Sequence, residues 1–173
     1  MAVSFEGFPR TLQRSALRPG RWFTAADGAR ALLCFSTDLA EGDSTLALVF
    51  TAPGVEMVDV VPIPLAVLHE PFATIEDEIV FAPGQSEGAP MLIAPRHRTV
   101  RNGCLLRLAS GDLGVAVVAR GSGELRAVSL STGQRSHGFE LVFERWSLSL
   151  RRNGAETLMG CFKPHGIAER RRI

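Results

Sequence analysis

The chain has 173 residues, 46 % of them hydrophobic and 21 % charged, with a formal net charge of +1 at pH 7. That balance fits a globular protein with a buried core and argues against a disordered or collagen-like chain. No apolar run approaches a membrane span, and Cys34, Cys104 and Cys161 are odd in number and far apart, against a CxxC-type metal site or a disulfide framework. Each cysteine sits in an apolar, strand-like run, where it acts as a small buried hydrophobe. The start, MAVSFEGFPR, lacks the basic and apolar regions of a secretory signal, so the expected location is cytoplasmic. A lone lysine, Lys163, stands against eighteen arginines, and tyrosine is absent, as a bias toward GC-rich codons would produce.

In chain order, residues 1–8 read as a short strand. Residues 9–17 predict a helix: proline suits a first turn, Leu12 and Ala16 share a face, and Pro19-Gly20 ends the run. Residues 21–35 predict a hairpin around Asp27-Gly28, a pair favoured in type I′ turns. Its better apolar face is Trp22, Ala31, Leu33 and Phe35. Residues 44–51 form a strand with Leu46, Leu48 and Phe50 on one side, and after Ala52-Pro53-Gly54 residues 55–61 return. Pro62 and Pro64 place the next stretch at an edge or a crossing, because proline lacks the ladder donor. Residues 65–69, 78–81 and 91–94 are further short apolar runs. The loop from Pro83 to Gly88 is the best candidate boundary, so that a single β-rich unit over 1–173 is expected, with any division into two lobes near 83–95.

Residues 102–131 read as the organising stretch, a three-stranded meander. A two-residue loop at Ser110-Gly111 would oppose Leu106 to Val115 and Cys104 to Val117. A second at Gly121-Ser122 would oppose Arg126 to Val117 and Val128 to Val115. The expected core face is then Cys104, Leu106, Leu108, Leu113, Val115, Val117, Val128 and Leu130. Residues 139–150 read as one long strand whose apolar parity switches near Glu144-Arg145, the mark of a bulge or bend. Asn153-Gly154 is a strong turn, from which 156–162 pair back. The tail ends ERRRI. At an offset of 83 residues, Gly20, Ala26 and Gly28 match Gly103, Ala109 and Gly111. The facing patterns of the two stretches disagree in the expected register. A true duplication would imply two similar β units related by a pseudo-two-fold axis.

These short runs, with turn signals between them, predict an all-β, mainly antiparallel sandwich or barrel of about 10–13 strands with at most one or two short helices.

The chemistry is less legible. GxSxG, GxxxxGK[ST] and HExxH are absent, as is a GxGxxG between strand and helix. No two of His69, His97, His137 and His165 lie within five residues, which argues against a local metal site. His69, His137 and Glu140 are the one long-range combination worth testing. Glu76-Asp77-Glu78 reads as a solvated charged turn. Arg96-His97-Arg98, with Arg101 and Arg107, is the sharpest polar feature, since guanidinium groups recognise phosphate or carboxylate bidentately. No aromatic residue lies between Phe81 and Phe139, which speaks against a nucleic-acid stacking platform. The candidate ligand-binding residues are therefore Arg96, Arg98, Arg101, Trp22 and Trp146, with no catalytic set, metal or cofactor expected.

Arg14 and Arg18 make an RxxxR, followed by Asp38-Leu39-Ala40-Glu41-Gly42-Asp43. This pair of segments resembles the PilZ family, β-barrels that bind cyclic di-GMP through RxxxR and [DN]xSxxG. Ala40 stands at the serine position and Asp43 at the glycine position, so two of the three positions of the second motif depart. The resemblance is confined to residues 14–43.

Residues 1–95 hold five arginines and twelve acids, whereas 96–173 hold thirteen arginines, Lys163 and six acids. Interleaving of these halves would cancel their charges within the molecule and leave polyanion binding weak. Two functions follow as expectations. The first is a non-enzymatic interaction or assembly module that self-associates or binds another protein, with no nucleic acid or membrane. The alternative is a β-barrel that binds a small molecule, a carbohydrate or a nucleotide, with any enzymatic site assembled at long range.

Overall fold

The computed structural model describes residues 11–27, 30–38, 46–51, 59–84, 100–118 and 123–162. Within them the chain is all β, with fourteen strands in three antiparallel sheets, none closed into a barrel. The strands are β1 (Thr11–Leu12), β2 (Trp22–Asp27), β3 (Arg30–Thr37), β4 (Leu46–Thr51), β5 (Asp59–Pro64), β6 (His69–Thr74), β7 (Glu78–Pro83), β8 (Leu105–Leu108), β9 (Leu113–Val118), β10 (Leu125–Ser129), β11 (Arg135–Ser136), β12 (Phe139–Phe143), β13 (Trp146–Arg152) and β14 (Ala155–Phe162). Two single 3-10 turns, Arg14–Ala16 and Leu65–Val67, are the described helical elements. The helix expected over 9–17 gives way to β1, whose Thr11 and Leu12 pair with Ala73 and Phe72 of β6. A stretch this short has no helical stability of its own, and between residues 11 and 17 only Leu17 is buried.

The six-stranded sheet has the order β1-β6-β2-β3-β4-β5, the five-stranded sheet β11-β10-β9-β8-β12, and the three-stranded sheet β14-β13-β7. As the prolines require, β5 with Pro62 and Pro64 is an edge. The β2–β3 ladder closes at Asp27↔Arg30, so residues 28 and 29 connect it, one position later than the Asp27-Gly28 pair. Trp22, Leu33 and Phe35 still face the central core, because that displacement shifts the cross-strand register by two and a two-residue shift preserves side-chain facing.

The meander register is half as expected. Arg126 opposes Val117 and Val128 opposes Val115. On the other side, however, Leu105 opposes Val115 and Leu106 opposes Gly114, a slip of one residue. The cause is the turn. Leu108 and Asp112 close a three-residue loop, with Leu108 N–H donating to Asp112 O at 2.8 Å, and Gly111 takes φ +89°. Three-residue hairpins place such a residue in the left-handed region and add one position to the loop. The whole first strand therefore turns over. Leu105 joins Val115, Val117, Val128 and Leu130 in the central core, while Cys104, Leu106 and Leu108 form a separate cluster with Ala116 and Val142.

The corrected register removes the mismatch between the two glycine-led hairpins. Gly20 and Gly103 both take positive φ, +82° and +83°. Gly20 N–H donates to Ser36 O while Ser36 N–H donates to Arg21 O; Gly103 N–H donates to Ala116 O while Ala116 N–H donates to Cys104 O. Two residues on, Trp22 and Leu105 both face the central core. Phe23 and Ala25 face one outer cluster, and Leu106 and Leu108 the other. Strand order agrees as well: β6-β2-β3-β4-β5 in one sheet, β12-β8-β9-β10-β11 in the other. The next strand of each unit, β7 or β13, leaves to pair antiparallel with its counterpart, as a two-fold relation between the units demands.

The stretch read as one strand over 139–150 is two. It breaks at Glu144 and Arg145, β12 staying in the five-stranded sheet and β13 entering the three-stranded one. The parity switch marks a change of sheet. All three sheets contribute to the central core: Leu33, Phe35, Leu48, Phe50 and Val60 from the first, Leu105, Val115, Val117, Val128 and Leu130 around the second, and Trp146, Leu148 and Phe162 from the third.

Candidate functional site

The two tryptophans lie where the sheets meet. Trp22 is half-buried, and its ring touches those of Phe35, Phe50 and Phe81 at centroid distances of 4.8, 4.9 and 5.8 Å. Trp146 is 2 % exposed and stacks on Phe162 at 3.5 Å with the planes 2° apart. Phe81 bridges the pair, lying 5.7 Å from Trp146. The Trp146 Nε1–H donates to Gly103 O at 2.8 Å. The rings pack on one another and the Trp146 N–H has its acceptor, which is how aromatic side chains hold a core together.

Arg101 is exposed and lies on the turn that receives the Trp146 indole; its carbonyl accepts the Cys104 N–H at 3.2 Å. Next to it, Asn102 joins two sheets. Its Nδ2 donates to Val60 O at 3.0 Å, and its Oδ1 accepts the Val118 N–H at 3.1 Å. Arg96 and Arg98 lie outside the described residues. Of the five candidate residues, the structure thus brings Trp22, Trp146 and the Arg101 turn into one neighbourhood.

His69 starts β6, and His137 lies between β11 and β12 in the five-stranded sheet, both exposed, while Glu140 pairs with Arg107 at 4.0 Å. Among the described residues no three of His, Cys, Asp and Glu gather as metal ligands. Arg14 of the RxxxR donates from Nη2 to Leu68 O at 2.9 Å, and its backbone N–H donates to Glu70 Oε1 at 2.7 Å. Arg18 is exposed, and its carbonyl accepts the Ser36 hydroxyl. Of the second motif only Asp38 is described, residues 39–43 lying outside.

The charged turn at 76–78 is tied down. Asp77 binds Arg152 and Glu78 binds Arg151, the second at 3.2 Å, and Arg151 also reaches Glu156 at 3.3 Å. A side-chain hydrogen bond to Glu156, helped by the charge of Glu78, holds the Arg151 guanidinium above its ordinary pKa. The bridges from Asp77 and Glu78 link the acidic half of the chain to the basic half beside the β7–β13 ladder.

Burial pushes the Cys34 thiol up to about 12, with a backbone hydrogen bond from Ala25 opposing it, and burial raises Cys104 too. A thiol whose folded pKa is raised costs stability only once its unfolded form ionises. Stability should therefore be unaffected by these groups below pH 9.0, the unfolded value, and fall as pH rises from there towards about 12. Tyrosine is absent and lysine single, so few other groups titrate in that window. Denaturant unfolding at increasing alkaline pH should show a loss on the order of 1 kcal/mol per unit, and Cys34→Ala should reduce it. An equal alkaline loss in Cys34→Ala would refute the assignment.

The sequence reading passed over the surface that the three-stranded sheet presents. Asn153 and Gly154, at φ +50° and +81°, build a tight turn that folds β14 back on β13. Residues 155–158 of β14 are exposed, and Leu158 is 50 % exposed, unusual for a large apolar side chain in this molecule. On the face of β13 behind Leu158 stand Ser147, Ser149 and Arg151. The hairpin itself was legible from Asn-Gly. Its position at a sheet edge depends on the sheet order, which a single sequence does not carry.

Comparison with known proteins returns no match to the chain, whether to a protein-family model, a curated protein or a solved structure. No helix among the described residues is long and apolar enough to cross a membrane.

Proposed function

We propose that the protein is a non-enzymatic interaction or assembly module of the cytoplasm, acting by docking another polypeptide on its surface. One observation carries this reading: β14, eight residues long, is an edge strand among the described residues, and its first four residues are exposed. An uncovered edge offers a row of backbone donors and acceptors ready to pair with a further strand. The candidate aromatic residues support the same reading, because their rings are engaged with one another at the joint between sheets. Native mass spectrometry of freshly purified protein tests it. The expected result is a species heavier than one chain with no small molecule retained. A monomer carrying a bound metabolite would overturn it and favour a ligand-binding domain.

A further inference from the structure

Resting on that reading, we infer that the partner of β14 is β14 of a second copy, the two strands running antiparallel about a two-fold axis at Leu158. The other sheet edges among the described residues are blunted. β1 and β11 have two residues each, and β5 carries Pro62 and Pro64. β12 has a bulge between Phe139 and Leu141 beside Glu140, and β7 runs from Glu78, held by Arg151, to Pro83. These are the devices by which proteins stop edge-to-edge pairing. β14 is longer than any of them and has no proline and a single charge, Glu156. Its own bulge, at Met159 on the β13 side, lies one residue past the exposed run 155–158 and within the segment that would pair.

The sequence of β14 is compatible with itself in this arrangement. With Leu158 on the axis, each Leu158 faces its mate, Thr157 faces Met159 of the second copy, and Glu156 faces Gly160. No charge opposes itself, and the exposed leucine gains an apolar cross-strand partner. Arg151 keeps Glu156 neutralised from the β13 side. The molecule already uses the same device internally, since β7 and β13, equivalent strands of its two units, pair antiparallel. Joining β14 to β14 would fuse two three-stranded sheets into one of six strands.

Cross-linking and association measurements test the inference. Directly opposed residues in an antiparallel pair have Cα atoms about 4.5–5.5 Å apart, within disulfide range. In a Cys161→Ser background, Leu158→Cys should oxidise to a covalent dimer, whereas Ser110→Cys, at an exposed hairpin tip, should not. Leu158→Lys should weaken self-association at least about tenfold, since like charges would face each other, with the circular dichroism spectrum unchanged. A Leu158→Cys protein that cross-links no faster than Ser110→Cys, or a Leu158→Lys protein that stays a dimer, overturns the inference. If the wild type is still heavier than one chain, the assembly reading stands while this interface falls. If the wild type is a ligand-loaded monomer, both fall.

Discussion

Trp146→Ala is expected to lower stability by about 3–5 kcal/mol, the range for truncating a large buried aromatic side chain. The residue is 2 % exposed, its ring lies flat on Phe162, and Phe81 flanks it. Removing it empties the space where the three-stranded sheet meets the other two. It also takes the donor from Gly103 O, and a buried acceptor left without a partner costs about 1–3 kcal/mol. Trp146→Phe separates the two effects, because it keeps a ring to stack and loses only the N–H and part of the volume. It should cost clearly less than alanine and still more than a neutral surface change. Urea unfolding reads both. A Trp146→Ala protein with a wild-type midpoint would mean that the sheets are held together elsewhere.

The Gly103 turn shows why such a joint escapes a reading of the sequence. The side chain of Asn102 spans from Val60 in β5 to Val118 in β9. Those residues are 42 and 16 positions away, and no local pattern encodes the meeting. What local pattern does encode was recovered. Alternation in 113–118 and 125–129 put Val115, Val117 and Val128 on the core side, and the β9–β10 pairing came out in register. The prolines of β5 marked an edge, and Asn153-Gly154 marked a hairpin.

The register failure has one physical origin. Side chains on a strand alternate, so a loop miscounted by one residue inverts a whole strand. Gly111 did that to 104–108. Both faces of this strand are buried, Leu105 in one cluster and Leu106 in the other. Its run of apolar residues therefore carried no signal of which face was inner. The same inversion hid the likeness of the two hairpins, because Trp22 and Leu105 agree in facing only in the true register. Of the candidate residues, Trp22 and Trp146 were noticed as aromatic groups, and what they touch became visible only with the fold. The exposed edge of β14 was invisible for the same reason.

The second joint gives the most demanding test of the packing. Gly133→Ala is expected to cost about 2–5 kcal/mol, from left-handed strain of about 1–2 kcal/mol and overpacking of about 1–3 kcal/mol. Gly133 has φ +73°, and a Cβ there would stand 2.3 Å from Gly20 N and 2.6 Å from Ser36 O. Both neighbours are backbone atoms, which cannot swing aside as a side chain can. They are also fixed by their own bonds. Gly20 N–H donates to Ser36 O at 2.9 Å, while Gly133 O accepts from Asp38 N–H at 2.9 Å and from the Thr37 hydroxyl at 2.6 Å. The five-stranded sheet thus touches the end of β3 through bare backbone, and any side chain there must push the two sheets apart. Gly111→Ala is the matched control. Its φ is +89°, but nothing lies within 4 Å of the added carbon, so only the conformational strain of about 1–2 kcal/mol applies. Urea midpoints at unchanged m values give the comparison. If Gly133→Ala proves no more costly than Gly111→Ala, the close approach of Gly20 and Gly133 is not what joins these sheets.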